Sequence, residues 1–374
     1  MSQESDPSIP ASSPPPPRAT SWKTLVADYQ KPSAKLATWQ LVNTLGPYAL
    51  VWILLFFSLS ISWLLTIPLA ALAGGLLVRI FIIFHDCGHG SFFPSKRAND
   101  FWGFITGLLS FTPYHHWKWE HSVHHATTGH LDRRGIGDIW TMTVEEYLGA
   151  SSWKRFTYRL ARNPLVLFVI APLFIFLVQH RFALPKANAR AKRSVWITNL
   201  ALGAMAVGLS LWFGFLPWLL IQLAVLAVAG SIGVWLFYVQ HQFEDAYWEH
   251  AKEWNHFDAS MKGSSYYQLP KVLQWFTGNI GFHHLHHLSS RIPNYHLERC
   301  HFSDPMFQEV EPLTMWASLK TISYRLWDEE SKKLITFGQL KKGIRSGTIG
   351  AAPKGQESWE EVVLPGSKVA SART

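Results

Sequence analysis

Fifty consecutive residues, Ser194 to Phe243, contain no Lys, Arg, Asp or Glu. A helix needs about 20 apolar residues to cross a bilayer, so this stretch is long enough to cross twice, and Gly214 and Pro217 supply a turn near its middle. A second stretch, Leu45 to Phe84, runs for 40 residues with Arg79 as its single charge. It predicts another hairpin, turning near Trp63 to Pro68. Hydrophobic residues make up 48% of the chain against 16% charged, and 19 residues are Trp. The apolar content is therefore gathered in blocks, and Trp collects where such blocks meet water.

A net charge of +9 raises nucleic acid as a partner, but the basic residues lie between apolar blocks and form no stripe on a soluble domain. Anionic headgroups and the positive-inside bias account for them, and no nucleic acid is expected. Arg181, Lys186, Arg190, Lys192 and Arg193 follow one another without an acid, which predicts a cytoplasmic loop. Ahead of it, Pro164 to Val178 is short for a span and holds Pro172 at its centre. If histidines on either side of the Ser194–Phe243 hairpin share one site, an even number of crossings separates them. The hairpin already supplies two, so the Pro164 run is expected to enter and leave on one face. Phe101 to Tyr114, also too short to span, is expected in the interface.

The predicted fold class is an all-α integral membrane protein: two transmembrane helical hairpins, re-entrant or interfacial helices, and a cytoplasmic histidine-rich cap. Residues 1–20, rich in Ser and Pro, read as a disordered tail, and nothing near Met1 resembles a cleaved signal peptide. Residues 21–44 read as an interfacial or cytoplasmic segment and 45–305 as the membrane domain. Residues 306–374 read as a cytoplasmic C-terminal segment, with roughly the last 20 residues disordered.

The chain has 18 histidines and 2 cysteines, Cys87 and Cys300, so its metal chemistry has to run through nitrogen. His85 and His89 stand four apart, on one helix face. His121, His124 and His125 form an HxxHH motif, and His283, His286 and His287 form another, with His284 added inside it. His241 ends the last apolar block. A lone histidine at a helix end, such as His180 or His241, is ordinarily an interfacial residue; the company of eight others at the same level makes His241 a candidate ligand. Eight or nine clustered imidazoles would repel on protonation and have no packing rationale without metal. Their number exceeds the four donors of a structural zinc site and fits two ions with four or five ligands each. Two irons would supply the redox equivalents to activate oxygen; zinc has no accessible redox change. Asp86, Glu120, Asp132 and Asp138 lie close to the motifs, where carboxylates commonly orient metal-bound histidines; solvated loop acids are the plain alternative. Trp117, Trp119, Trp140 and Trp275 are candidates to line an acyl channel or to anchor at the interface. His115 and His116 fall outside the motif spacing and read as interfacial.

The segments HDCGHGSFF and PYHHWKWEHSVHHATTGHLD, then YVQHQFE and GNIGFHHLHHLSSRIPNYHL, resemble the histidine boxes of the membrane fatty-acid desaturases, nearest their acyl-lipid delta-12, or omega-6, branch. The resemblance covers about residues 40–305. It implies a di-iron centre ligated by His85, His89, His121, His124, His125, His241, His283, His286 and His287, with dioxygen as co-substrate. It further implies a cis double bond placed in an acyl-lipid or acyl-thioester substrate, oleoyl chains above all. His284 departs from the usual pattern and reads as standing behind the ligands or exposed, with Asp86 and Asp138 as the outer carboxylates. Some members complete the site with an asparagine; Asn279 does not match that offset. Neither a Gly-rich dinucleotide fingerprint nor a fused haem motif such as HPGG is present, so electrons are expected from an external ferredoxin or a small haem cytochrome with its reductase. Two other functions compete: a hydroxylase or ketolase of the same histidine-box superfamily, and a histidine-rich metal transporter, whose sites would lie at mid-membrane on broken helices. A membrane zinc protease would need HExxH, which is absent.

Overall fold

A computed structural model describes residues 21–350; the expected disordered tail and the expected disordered C-terminus lie outside the described residues. After a short helix, α1 (Trp22–Ala27), the first hairpin is built from α2 (Ala34–Ser58) and α3 (Trp63–His89). Its turn falls at residues 59–62, ahead of the expected Trp63 to Pro68. Ser62 caps α3 by accepting from the Leu64 N–H, and Pro68 is carried inside the helix, as membrane helices tolerate. α2 begins at Ala34, ahead of the apolar stretch that opens at Leu45. Its first turns hold Gln40 and Thr44, whose side chains bond Asn294 and Arg79 inside the protein, so the polar residues there face protein.

On the far side of the first hairpin come α4 (Lys96–Leu109) and α5 (Tyr114–Thr127). Glycines let α4 lie tight on α3 and α5: a Cβ at Gly107 would meet the Phe84 ring of α3 at 2.8 Å, and one at Gly103 would meet the Tyr114 ring of α5 at 2.2 Å. The chain then forms β1 (Met142–Thr143), α6 (Val144–Gly149) and α7 (Ser152–Ala161), and bends by 59° into the apolar run Val166–Arg181. Pro172 was expected to break this run. Instead the bend lies before it, and the chain passes through a π-helical segment, Val166–Ile170, into α8 (Ala171–Leu177). The wider register accommodates the ring's missing N–H.

The second hairpin, α9 (Ala189–Phe213) and α10 (Phe215–His241), turns at Gly214 with φ of +82°, where the sequence placed it. Among the described residues, four helices are thus long and apolar enough to cross a membrane. The central packing joins α2, α3 and α10 through Leu55, Ala73, Leu77, Ile80, Val225 and Leu226. A Cβ at Gly74 would lie 2.4 Å from Val228, so the two backbones approach as closely as small residues allow. His124 and His241, on either side of the bent run and the second hairpin, touch at 3.2 Å, and the bent run has the form of a broken span or a re-entrant loop.

The remaining chain forms the cap: α11 (His256–Met261), β2 (Tyr266–Gln268), α12 (Lys271–Phe276), α13 (His283–Leu288), α14 (Asn294–His301), α15 (Pro305–Gln308), β3 (Pro312–Thr314), α16 (Met315–Thr321), β4 (Tyr324–Asp328), β5 (Lys333–Thr336) and α17 (Phe337–Ser346). Two small sheets interrupt an otherwise helical fold. β2 pairs with β3 in parallel. β4 lies between β1 and β5, parallel to the first with Met142 opposite Leu326 and antiparallel to the second.

Candidate metal centre

The last two turns of α3 carry His85 and His89, and Gly90, left-handed at φ of +73°, ends the helix there. A Cβ on Gly88 would stand 2.9 Å from the Trp117 ring, so this glycine lets α5 bring His121, His124 and His125 against α3. The C-terminal residue of α10 is His241, and α13 adds His283, His286 and His287. All nine expected ligand histidines converge at one place.

They divide into two groups. His85, His89, His121, His125 and His286 each offer a ring nitrogen within 4.8 Å of the others, as do His124, His241 and His287. Within the first, His125 Nε2 lies 3.1 Å from His121 Nε2 and 2.9 Å from His286 Nε2. In the second, His241 Nε2 is 3.2 Å from His124 Nε2 and 3.0 Å from His283 Nε2, so His283 adjoins the trio. Each HH doublet is split: His125 and His286 belong to the first group, His124 and His287 to the second. His125 and His287 stack at 4.1 Å, joining the groups.

Behind the rings stand acceptors that fix their orientation. His85 Nδ1 lies 3.0 Å from the Asp86 carboxylate, which also accepts from the Asn294 backbone N–H at 2.6 Å and its side-chain amide at 2.8 Å. His124 Nδ1 bonds Asp138 at 2.7 Å, and His241 Nδ1 donates to the Gly263 carbonyl at 3.1 Å. The loop reaches His124 through Gly137, left-handed at φ of +76°, where a Cβ would be 3.1 Å from that of His124. With Nδ1 donating outward, Nε2 turns its lone pair to the centre, the arrangement of a metal-ligating histidine.

The donor set fits cations. His89 Nε2 and His287 Nε2 are buried without a hydrogen-bond partner, and elsewhere ring nitrogens face each other. Burial first, and then neighbouring imidazoles, hold His121, His125, His283, His286 and His287 well below the ordinary histidine range. The rings are therefore neutral, the form that coordinates metal.

Other candidates fall elsewhere. His284 is buried, not exposed; its Nε2 donates to the Phe307 carbonyl at 3.2 Å and its ring neighbours are Tyr266 and His301. Glu120 lies 3.1 Å from Nδ1 of His116, which is buried and accepts from the Leu184 N–H, not interfacial as expected. Asp132 bonds the exposed His250. Among the four tryptophans, Trp117 stacks on His121 at 4.3 Å, whereas Trp275 lies against Arg79, Trp140 against Tyr158 and Trp119 against His116. Sequence reasoning missed Asn294, Gln40 and the Gly263 carbonyl, which the fold brings in from far along the chain, and Phe237, whose ring packs on both His124 and His241.

The sequence profile of the fatty acid desaturase family matches residues 61–316, a span holding all nine histidines. The chain belongs to that family. A fatty acid desaturase of Bacillus subtilis is 47% identical over 316 residues, covering 84% of this chain and 90% of its own. An sn-1 oleoyl-lipid 12-desaturase of Synechocystis is 27% identical, with 86% and 91% covered. An sn-1 acyl-lipid omega-3 desaturase (ferredoxin) of the same organism is 29% identical, with 64% and 67% covered. This desaturase is thus a membrane-embedded oxidoreductase, as its boxes and hairpins predict.

Proposed function

We propose that the nine histidines hold two iron ions and that the enzyme, with dioxygen, places a cis double bond in an acyl chain of a membrane lipid. The observation behind this reading is the convergence of imidazoles, five in one group and three plus His283 in the other, with Asp86, Asp138 and a backbone carbonyl behind them. Iron supplies the redox steps that removing hydrogen from an unactivated C–H bond demands. The protein's part is to fix the donors before metal arrives and to hold the acyl chain beside them away from water. Trp117 and Phe237, packed on the ligand rings, are suited to that exclusion.

Further details belong to the same reading. The basic loop from Arg181 to Arg193 supports a cytoplasmic histidine face through the positive-inside bias. Electrons come from a separate carrier, a ferredoxin or a small haem cytochrome, and the +9 chain suits an acidic one. The oleoyl-lipid 12-desaturases among the relatives support insertion at carbon 12 of an oleoyl chain. Expression of the full chain in a host containing oleate, with gas chromatography of its lipids and metal analysis of the purified protein, tests all three levels. New dienoic acids and about two irons per chain are expected. A double bond at another position overturns the carbon-12 assignment alone, hydroxylated or ketonic products overturn desaturation, and loosely held zinc without oxygen-dependent turnover overturns the enzyme reading in favour of transport.

A further inference from the structure

Arg162 closes α7 at the bend ahead of the π-helical segment, and it is 1% exposed. Among the described residues it has no carboxylate within ion-pair distance, and its Nε has no partner. Such a cation is costly to bury, and its fork is satisfied by oxygens from three other parts of the chain. It donates to the Gln242 side-chain carbonyl at 2.7 Å, to the Tyr324 carbonyl at 3.0 Å and to the Tyr238 hydroxyl at 3.4 Å, with the Trp140 carbonyl at 3.5 Å. A flat group with five donors suits this convergence, which an ammonium could match only in part.

What the contacts hold is specific. Gln242 directly follows His241, and its amide donates on to Thr141 Oγ1 at 3.1 Å. Thr141 stands three residues after Asp138, whose carboxylate orients His124 at 2.7 Å. The network therefore grips both the helix end bearing His241 and the loop that aims His124. Both serve the trio, and neither belongs to the five-histidine group. Its outer wall is β4, which pairs with β1 just beyond Thr141, and Tyr238 donates to the Thr321 carbonyl at 2.9 Å from the same α10 end. β4 and β5 lie beyond the stretch matched by the family profile.

We propose that Arg162, through Gln242 and backed by the C-terminal strand β4, is a positioning residue for the three-histidine group and not for the five-histidine group. The proposal rests on the two-metal reading above. Loss of its fork leaves Gln242 and the Tyr324 carbonyl unmatched and frees both sides of the trio together, while His85 in the five-histidine group keeps the Asp86 carboxylate behind it.

The test uses the full chain in detergent, stripped of metal with a chelator and titrated with cobalt(II) by visible absorption, alongside thermal unfolding. In Arg162→Gln, half of the cobalt capacity is expected to weaken by about 10-fold or more, the usual effect of losing an outer support, with the other half at wild-type affinity. Arg162→Lys should restore part of the loss. Leu340→Ala, in the apolar cluster of the same C-terminal region and without a bond to the network, should lower the unfolding midpoint while leaving both halves unchanged. If Arg162→Gln does not fold, Gln242→Leu and Thr141→Val carry the same one-sided expectation. Equal weakening of both halves, or unchanged binding in the folded variants, overturns the positioning role while leaving the two-metal reading in place. A wild-type chain that takes up one cobalt or none overturns that reading, and the inference with it.

Discussion

Removing the Asp138 carboxylate isolates one support of one metal group. The side chain is 9% exposed and meets His124 Nδ1 at 2.7 Å, the length of a charge-assisted hydrogen bond. Bonds of that kind contribute about 1.5–3 kcal/mol. Outer-shell substitutions weaken metal binding by about 10–100-fold, which converts to about 1.4–2.8 kcal/mol; the two ranges agree. Asp138→Asn keeps an acceptor for Nδ1 but loses the charge, and should fall near the 10-fold end. Asp138→Ala also frees the Gly135 N–H that bonds the other carboxylate oxygen at 3.1 Å, and should approach 100-fold. Iron per chain, measured after equilibration against buffered free metal, should drop from two toward one, with the remaining iron held as in the wild type. An Ala variant retaining both irons at wild-type affinity would refute the assignment of Asp138 as the trio's support, and loss of both together would refute the division into two groups.

Asn294→Ala withdraws a side-chain donor from Asp86 and should weaken the five-histidine group alone, by about 10-fold; unchanged metal affinity there would show that the backbone N–H of residue 294 suffices. His284→Ala should leave the iron content unchanged, and a missing iron would place that ring in the centre after all. Gly74→Leu drives a side chain into Val228 and should cost about 1–3 kcal/mol, read as a lower unfolding midpoint in detergent; an unshifted midpoint would mean that α3 and α10 can part. Acid should destabilise the metal-free enzyme. Below about 6.5, the ordinary histidine value, the unfolded chain binds protons that folded His283, His286 and His287 refuse, because burial holds them low. Stability then falls with falling pH, by about 1.4 kcal/mol per unit for each fully differing ring, and a metal-free chain that grows more stable between pH 7 and 5 would contradict it.

The sequence was most informative where spacing acts locally. HxxxH and HxxHH fix which imidazoles share a helix face, and those histidines do meet. Asp86 and Asp138 stand close in sequence to the rings they hold, so proximity found them, yet the same reasoning offered Glu120 and Asp132, which the fold turns toward His116 and His250. Contacts closed over long separations left no mark: Asn294 reaches Asp86 across 208 positions, and Gln40 reaches Asn294 across 254. Hydropathy located both hairpins but not the first turns of α2, because polar residues facing protein read the same as polar residues facing water. Pro172 misled for a related reason, since a π-helical register absorbs the lost hydrogen bond without breaking the run.

The split doublets set how far apart the two histidine groups stand. Neighbouring residues on a helix are turned by about 100° from one another, and in both α5 and α13 that angular step sends one histidine of each pair to either group. The separation is therefore gauged by the helical repeat itself, twice over and from opposite sides. Parting the two histidine groups at these doublets requires unwinding α5 and α13.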